Sequence, residues 1–275
     1  MSSPRFDLRG RRTLITGAGS GIGRALALEL AARQGVLALV GRRPEPLAET
    51  AALVAERGGT AHPITADLAA DGEAERVVET SAAALGGLDI LVNNAGNVRA
   101  GALEDISVAD IRAMVQVNLL APILATRAAL PHLRAAADRH GQAAVVGVAS
   151  IAAQVGLPYY AAYGAVKAGV ARFDDAMRRE LSGSGVHVVT VYPGPVDTPM
   201  MASARPAPGL GRRPVDEVVA EIVAGIEARE AAIVPQLPEG RAMSDLEARD
   251  PLAVDASIAP TLGELLAAVS SHRSM

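Results

Sequence analysis

Apolar residues along this chain fall into two alternating rhythms. Short runs rich in Val, Ile and Leu read as strands: Arg12–Thr16, Val36–Val40, Thr60–Thr65, Leu88–Val92, Ala143–Val148, His187–Val191 and Ala231–Val234. Between them lie longer Ala-rich stretches with helical spacing, over Ile22–Arg33, Leu47–Arg57, Glu73–Leu85, Val108 to about Ala136, Tyr160–Leu181 and Val215–Ala228. Strands that alternate with helices of this length imply right-handed βαβ units and an α/β fold, a doubly wound parallel sheet covered on both faces. No internal repeat or low-complexity linker divides the chain, so one domain is expected over residues 1–275. Thr198 to Pro214 breaks the rhythm. It is rich in Pro, Gly and Met and reads as a mobile substrate loop beside the sheet. Beyond Val234, a tail over about 236–275 runs through Pro235, Pro238, Pro251 and Pro260 to a short apolar helix around Leu262–Val269, with no role that its residues reveal.

Composition narrows the picture. Half of the 275 residues are hydrophobic but only 2% are aromatic, so the core must be built from Ala, Val, Leu and Ile. A formal net charge of -4 argues against nucleic acid or an anionic membrane as a general partner. The absence of cysteine excludes disulfides, thiolate catalysis and cysteine-held metal clusters. Met1 to Arg12 holds four arginines and no apolar core of a signal peptide, and no apolar run approaches the ~18 residues needed to span a bilayer. A cytoplasmic protein is therefore expected. The five histidines have no ligand spacing, so no metal site is expected. No G-x-S-x-G elbow surrounds Ser150, which disfavours a serine hydrolase.

Candidate chemistry begins at the first strand–helix junction, Thr16-Gly17-Ala18-Gly19-Ser20-Gly21-Ile22-Gly23. Glycines let a backbone turn tightly and bring its N–H groups close to a phosphate, and the following helix adds the positive end of its dipole. Gly17, Gly21 and Gly23 give the spacing T-G-x-x-x-G-x-G rather than G-x-G-x-x-G in register with the strand. In this the chain resembles the short-chain dehydrogenase/reductase family, in its compact single-domain branch, which implies a Rossmann-type sheet and a bound nicotinamide dinucleotide. The resemblance runs from roughly Arg11 to Pro235.

The second strand is followed by Gly41-Arg42-Arg43-Pro44, where an NAD-preferring protein usually places an acid. A carboxylate repels a 2′-phosphate, whereas guanidinium groups pair with it. NADP(H) is therefore expected, with NAD(H) as the alternative if the two arginines are simply solvated. The resemblance implies further cofactor contacts at Ser20 and Ile22 in the glycine turn, Asp67 and Leu68 after the third strand, and Asn94, Ala95 and Gly96 in the Asn93-Asn94-Ala95-Gly96 segment. It implies the same for Pro193, Gly194, Val196 and Thr198 after the sixth main strand. Asn93 itself reads as a structural residue of the turn.

Tyr163 and Lys167 stand four apart, on one face of a helix. A cation near a phenol favours phenolate and brings a pKa of about 10 nearer to working pH. Ser150 lies just past the strand Ala143–Val148, at the carboxyl end of the sheet where such folds bind ligands. The resemblance implies that Ser150 bonds the substrate oxygen, that Tyr163 exchanges the proton, and that Lys167 also holds the cofactor ribose. Asn118 lies inside the long helix with Pro122 four residues on, so its carbonyl loses the usual N–H partner. The resemblance adds a water on that carbonyl and a proton relay through Lys167.

The expectation is an NADP(H)-dependent oxidoreductase that reduces a ketone or aldehyde. An NAD(P)+-dependent alcohol dehydrogenase working in reverse and a non-catalytic cofactor-binding sensor stand as alternatives. Pocket walls are expected from Gln154, Val155, Leu157, Tyr159, Met200 and Met201, a mostly apolar set suited to an uncharged small-molecule substrate. Arg205, Arg212 and Arg213 would suit an acidic substrate, although loop arginines are usually solvated. The apolar surface of the helix around Met114–Leu133 suggests a homodimer or homotetramer, or else burial within one subunit.

Overall fold

The computed structural model describes residues 5–205 and 211–274. Five residues of the expected substrate loop, the first four of the arginine-rich start and Met275 lie outside the described residues. Nine strands and ten helices follow in chain order among those described: β1 (Arg12–Thr16), α1 (Gly21–Ala31), β2 (Val36–Gly41), α2 (Pro44–Glu56), β3 (Thr60–Thr65), α3 (Glu73–Leu85), β4 (Ile90–Asn93), β5 (Val98–Arg99), α4 (Val108–Val115), α5 (Ala121–His140), β6 (Ala143–Val148), α6 (Ala161–Glu180), β7 (Val186–Val191), α7 (Val215–Ala228), β8 (Ala232–Ile233), α8 (Pro238–Arg249), α9 (Pro251–Ile258), α10 (Leu262–Val269) and β9 (Arg273–Ser274). Seven strands form one parallel sheet in the order β3-β2-β1-β4-β6-β7-β8. The order reverses between β1 and β4, and that reversal opens a crevice at the carboxyl ends of the strands.

Two apolar layers flank the sheet, as its near-continuous hydrophobic strands require. On one face Leu26 and Leu30 of α1 pack with Val218, Ile222 and Ile226 of α7, over Ile15 and Val189. On the other, Val77 and Val78 of α3 join Ala125, Ala129 and Leu133 of α5 over Leu14, Leu91 and Val145. Small residues carry much of this second layer, so the helices lie close to the strands. Asp89, just before β4, ties the bottom of the sheet: Arg12 bonds it through its backbone N–H at 2.8 Å and its guanidinium at 2.9 Å.

The long helix expected from Val108 is interrupted. Gln116–Leu120 form a π-helical turn between α4 and α5, with the Ala121 N–H reaching back to the Gln116 carbonyl. Pro122 explains the break, because it lacks an N–H and its ring crowds the carbonyl four residues earlier. Counted through this turn, Val108–His140 is long and apolar enough to cross a membrane by length and composition, and so is Pro251–Val269. That corrects the expectation of no such run. The first stretch spends its apolar residues on the core through α5, while Val108, Val115 and Leu120 stay exposed, so it is not wholly buried within the chain.

The tail departs most from expectation. Pro238 and Pro251 each begin a helix, α8 and α9, where a missing N–H has no consequence and the fixed φ is already helical. The Asp250 side chain caps the second of these by accepting from the Ala253 N–H at 3.1 Å. After α10, β9 pairs antiparallel with β5, Val98 opposite Ser274.

Helix α6 sits against the sheet through a buried carboxylate. Asp174 is 2% exposed and accepts from the Thr190 hydroxyl of β7 at 3.1 Å. It fits only because its neighbour on β6 is Gly147, where a Cβ would run into the Asp174 carboxylate. Gly147→Ala is expected to destabilise the fold by about 1–3 kcal/mol through overpacking, read as a lower denaturant midpoint at unchanged slope. Asp174→Ser on that background is expected to restore part of the loss.

Candidate active site

The glycine turn is held from below. The Thr16 hydroxyl accepts from the N–H groups of Asn94 and Ala95, both at 3.0 Å, and donates to the Val92 carbonyl at 3.2 Å. The Asn94 side chain donates to the carbonyl of Thr16 at 2.9 Å and of Gly17 at 3.3 Å. This packing leaves no room for side chains. A Cβ at Gly17 would come 2.9 Å from the Ala95 Cα, and one at Gly23 would come 2.5 Å from the Asn94 amide nitrogen. Gly17 also takes φ 68°, in the left-handed region. Ser20 caps α1 with an extended backbone and no side-chain bond, and the first turn of α1 carries no acid. A dinucleotide pyrophosphate fits this cradle, because its backbone N–H groups and helix end face outward without an internal anion to compete.

Two hollows meet at the turn. The smaller, about 150 Å³, is lined by Gly19, Arg42, Arg43, Asp67, Leu68 and Val117, together with Gly17, Ser20, Ala95 and Gly96. Those residues include most of the positions expected around an adenosine. Arg42 and Arg43 form no ion pair among the described residues. Asp67 also accepts from the Ala69 N–H at 3.0 Å, so it closes its own turn while it faces the hollow. The larger cleft, about 490 Å³, takes in Gly21, Ile22, Ser150, Tyr163, Lys167, Pro193, Gly194, Val196 and Thr198.

The catalytic candidates gather at the carboxyl end of β6. Ser150 follows that strand and accepts from the Ala152 N–H at 3.2 Å. Burial pushes the Tyr163 phenol up to about 12, against the pull of the Ser150 hydroxyl beside it. Lys167 is buried, and its ammonium donates to the Val148 carbonyl at 2.9 Å and lies 5.8 Å from the centre of the Tyr163 ring. Burial draws Lys167 down to about 8, with the Asp174 carboxylate holding it up. Lys167, the residue expected to act on the phenol, thus stands beside the Tyr163 ring while its ammonium bonds the Val148 carbonyl.

Asn118 lies behind Gly96 rather than in the wall of the cleft. Its amide donates to the Asn97 side chain at 2.7 Å, the Asn97 carbonyl at 3.0 Å and the Met114 carbonyl at 3.0 Å. Its Oδ1 is buried without a partner among the described residues. A Cβ on Gly96 would come 2.8 Å from that oxygen and 3.5 Å from the Lys167 nitrogen, so Gly96 is the gap through which Asn118 and Lys167 approach each other. Asn93 has the structural role expected of it, donating to Thr126 at 3.0 Å to pin β4 to α5.

Of the expected pocket walls, Leu157, Met200 and Met201 line the cleft. Gln154, Val155 and Tyr159 do not. Gln154 bonds Gln236 at 3.1 Å, Val155 packs beneath with Ile151 and Val254, and Tyr159 turns away at φ 68° to bond Gly101 through its carbonyl. Arg205 and Arg212 line the cleft, but Arg213 pairs with Glu221 at 2.7 Å outside it. Sequence reasoning missed Tyr160, His272 and the tail residues Met243, Ile258, Leu265 and Val269, all of which face the cleft. One signal was present: three of only four tyrosines fall within Tyr159–Tyr163.

The family model for short chain dehydrogenases matches residues 11–209. The chain belongs to the short-chain dehydrogenase family. This family member is 35% identical to a ketoacyl reductase, HetN, of Nostoc sp. over 187 residues, which is 68% of this chain but only 64% of that relative. It also resembles a short chain dehydrogenase from Burkholderia cenocepacia solved in complex with NADP, at 32% identity and TM-score 0.73, over 83% of this chain and 97% of that one. An NADH-dependent reductase, A1-R′, responsible for alginate metabolism is similar at 31% identity and TM-score 0.72, over 83% of this chain and 96% of that one. The family model stops short of the tail.

Gly23→Ala is expected to abolish dinucleotide binding in this short-chain dehydrogenase, since the new methyl group would displace either Asn94 or the Gly17 carbonyl. Titration of reduced-nicotinamide fluorescence checks it: enhancement and saturation at wild-type concentrations would contradict the cradle described here.

Proposed function

We propose that the chain is an NADP(H)-dependent oxidoreductase that reduces the carbonyl of an uncharged, largely apolar ketone or aldehyde to an alcohol. The observation that carries this reading is the placement of Ser150, Tyr163 and Lys167 together on a mainly apolar cleft that continues into the glycine turn. When bound, the dinucleotide supplies the hydride. The protein residues do the rest. The Ser150 hydroxyl orients and polarises the substrate oxygen, and the Tyr163 phenol donates the proton to it. A phenol pushed up to about 12 holds its proton at neutral pH, as a donor must before transfer. Lys167, fixed by the Val148 carbonyl, stands where it can hold a ribose hydroxyl, and Asn118 supports it through the gap at Gly96.

The NADP(H) preference rests on Arg42 and Arg43 at the edge of the smaller hollow, with no carboxylate among the residues lining that end except Asp67, which is occupied in its own turn. Solved relatives include both an NADP complex and an NADH-dependent enzyme, so the arginines carry this part alone. A non-catalytic sensor is disfavoured because dinucleotide binding would need neither Ser150 nor the Tyr163 hydroxyl. A homo-oligomer fits the apolar side chains of Val108, Val115 and Leu120, exposed on one stretch of helix. A cytoplasmic site of action is consistent with a cysteine-free chain.

Tyr163→Phe is expected to lower kcat by about 10²–10⁴-fold, the usual contribution of a positioned proton donor, while NADPH affinity stays close to wild type. Carbonyl-dependent NADPH oxidation across a ketone and aldehyde panel measures it, and turnover that survives the substitution removes the mechanism. Arg42→Asp is expected to shift the ratio of kcat/KM with NADPH to that with NADH by about 10–100-fold toward NADH, as loss of a charge-assisted pair implies. An unchanged ratio would separate the arginine from cofactor choice.

A further inference from the structure

The cleft has a second wall that the dinucleotide fold does not supply. Residues 203–205 and 268–273 are zipped together beside it. Arg205 N–H donates to the Ala268 carbonyl at 3.0 Å, Ser271 Oγ to the Ser203 carbonyl at 2.8 Å, and Arg273 N–H to Ser203 Oγ at 3.0 Å. At the inner end of this zipper His272 is buried, and both its ring nitrogens are engaged. Nε2 lies 3.1 Å from the Met200 carbonyl, and Nδ1 lies 2.7 Å from the Tyr160 hydroxyl. A carbonyl only accepts, so Nε2 must carry the proton that it donates to Met200. In the neutral ring Nδ1 is then the acceptor, and Tyr160 donates to it. Tyr160 is also the N-cap residue of α6, and its ring stands edge-on to Tyr163 with centroids 6.2 Å apart.

We propose that His272 is a positioning residue of the active site, whose neutral imidazole clasps Tyr160 and the Met200 turn and thereby fixes α8–α10 as the substrate-selecting wall of the cleft. This rests on the reading of the cleft as a carbonyl-substrate pocket. Met243, Ile258, Leu265 and Val269 present the apolar face of that wall opposite Leu157 and Met201, so the substrate selected is one with an extended apolar body beside its carbonyl. Protonation of the ring turns the Tyr160 bond round, so that Nδ1 donates to the phenol oxygen, and leaves a buried imidazolium whose cost strains the clasp. The charged groups around His272 oppose that protonation. Arg212 pushes its pKa down together with burial, Arg205 lines the same cleft, and Arg99 bonds the Ser270 carbonyl close by. Of the acids, Asp110 pairs with Arg273 at 3.5 Å and Glu239 lines the same cleft, while among the contacts of the ring itself the Met200 carbonyl favours the charged form. A base whose pKa is lowered on folding is neutral and clasped above its ordinary value of 6.5. The clasp therefore weakens as pH falls below that value, where the opened chain takes up the proton first.

Amide hydrogen exchange over residues 262–274, corrected for intrinsic rates, tests the clasp in the full chain without need of a substrate. Strong protection at pH 7.5 that falls at pH 5.5 is expected for wild type. His272→Ala should lose protection at both pH values, and Tyr160→Phe should lose part of it. His272→Gln, which keeps a donor for Met200, should retain more protection than His272→Ala and should show no pH step. Equal protection in wild type and His272→Ala overturns the clasp. If His272→Ala fails to fold, Tyr160→Phe decides the same point: unchanged exchange and no change in its pH dependence overturn it. The specificity role is read separately, from steady-state kinetics with a long-chain and a short-chain ketone. A KM for the long substrate raised about tenfold, with kcat and NADPH affinity near wild type, is the expected result for the loss of one buried hydrogen bond. An equal loss for both ketones, or an opened wall with unchanged KM, overturns it. Absence of turnover by wild type on any carbonyl sinks the proposed function and leaves the exchange result standing.

Discussion

Helix α6 approaches the sheet so closely that its polar side chains must find partners within the strands. Lys167 ends on the Val148 carbonyl at 2.9 Å and Asp174 on the Thr190 hydroxyl at 3.1 Å, with Gly147 between them giving up its side chain. These two contacts fix both the rotation and the height of the helix. Tyr163, one turn before Lys167, is thereby brought over Ser150 at the end of β6. Buried groups of this kind are costly to leave unpaired, so each contact resists displacement of the helix. The proton-transfer geometry is a consequence of how the helix is seated, and the dinucleotide cradle on the other side of the crevice is built on separate supports.

Those separate supports are also polar groups with full employment. Thr16 and Asn94 together hold the glycine turn through five hydrogen bonds to the end of β4 and to the turn itself. The two halves approach each other at Gly96, beside Asn118 and Lys167. Burial acts oppositely on the two titrating groups there, raising the phenol of Tyr163 and lowering the ammonium of Lys167. Both shifts favour the neutral forms. At about 8 Lys167 still carries its charge at neutral pH, while Tyr163 keeps its proton.

Most of the sheet and the gathering of Ser150, Tyr163 and Lys167 were legible in the sequence, because period, glycine spacing and helix geometry are local properties. Of the cofactor positions that the resemblance implied, all but Gly23 line one of the two hollows. Failures came where nonlocal packing decides. That Lys167 also bonds the Val148 carbonyl depends on a strand nineteen residues away. The helices that begin at Pro238 and Pro251 went unread, since what gives them a role is the cleft they cover. His272 has no motif around it at all; its meaning comes from Tyr160 and Met200, which only the folded chain brings to it.

The pairing of the tail with the middle of the chain has a kinetic side. Arg99 bonds the Ser270 carbonyl across a separation of 171 residues, and β5 meets β9 over a similar span. The strands of the sheet pair largely through nearby βαβ units, whereas this closure joins distant segments with only two residues in each strand. Contacts at such separation form late, after local ones have shortened the effective loop. The dinucleotide cradle can thus be complete while the far wall is still undocked. A chain whose cofactor site is complete before that wall docks would bind dinucleotide without discriminating among substrates.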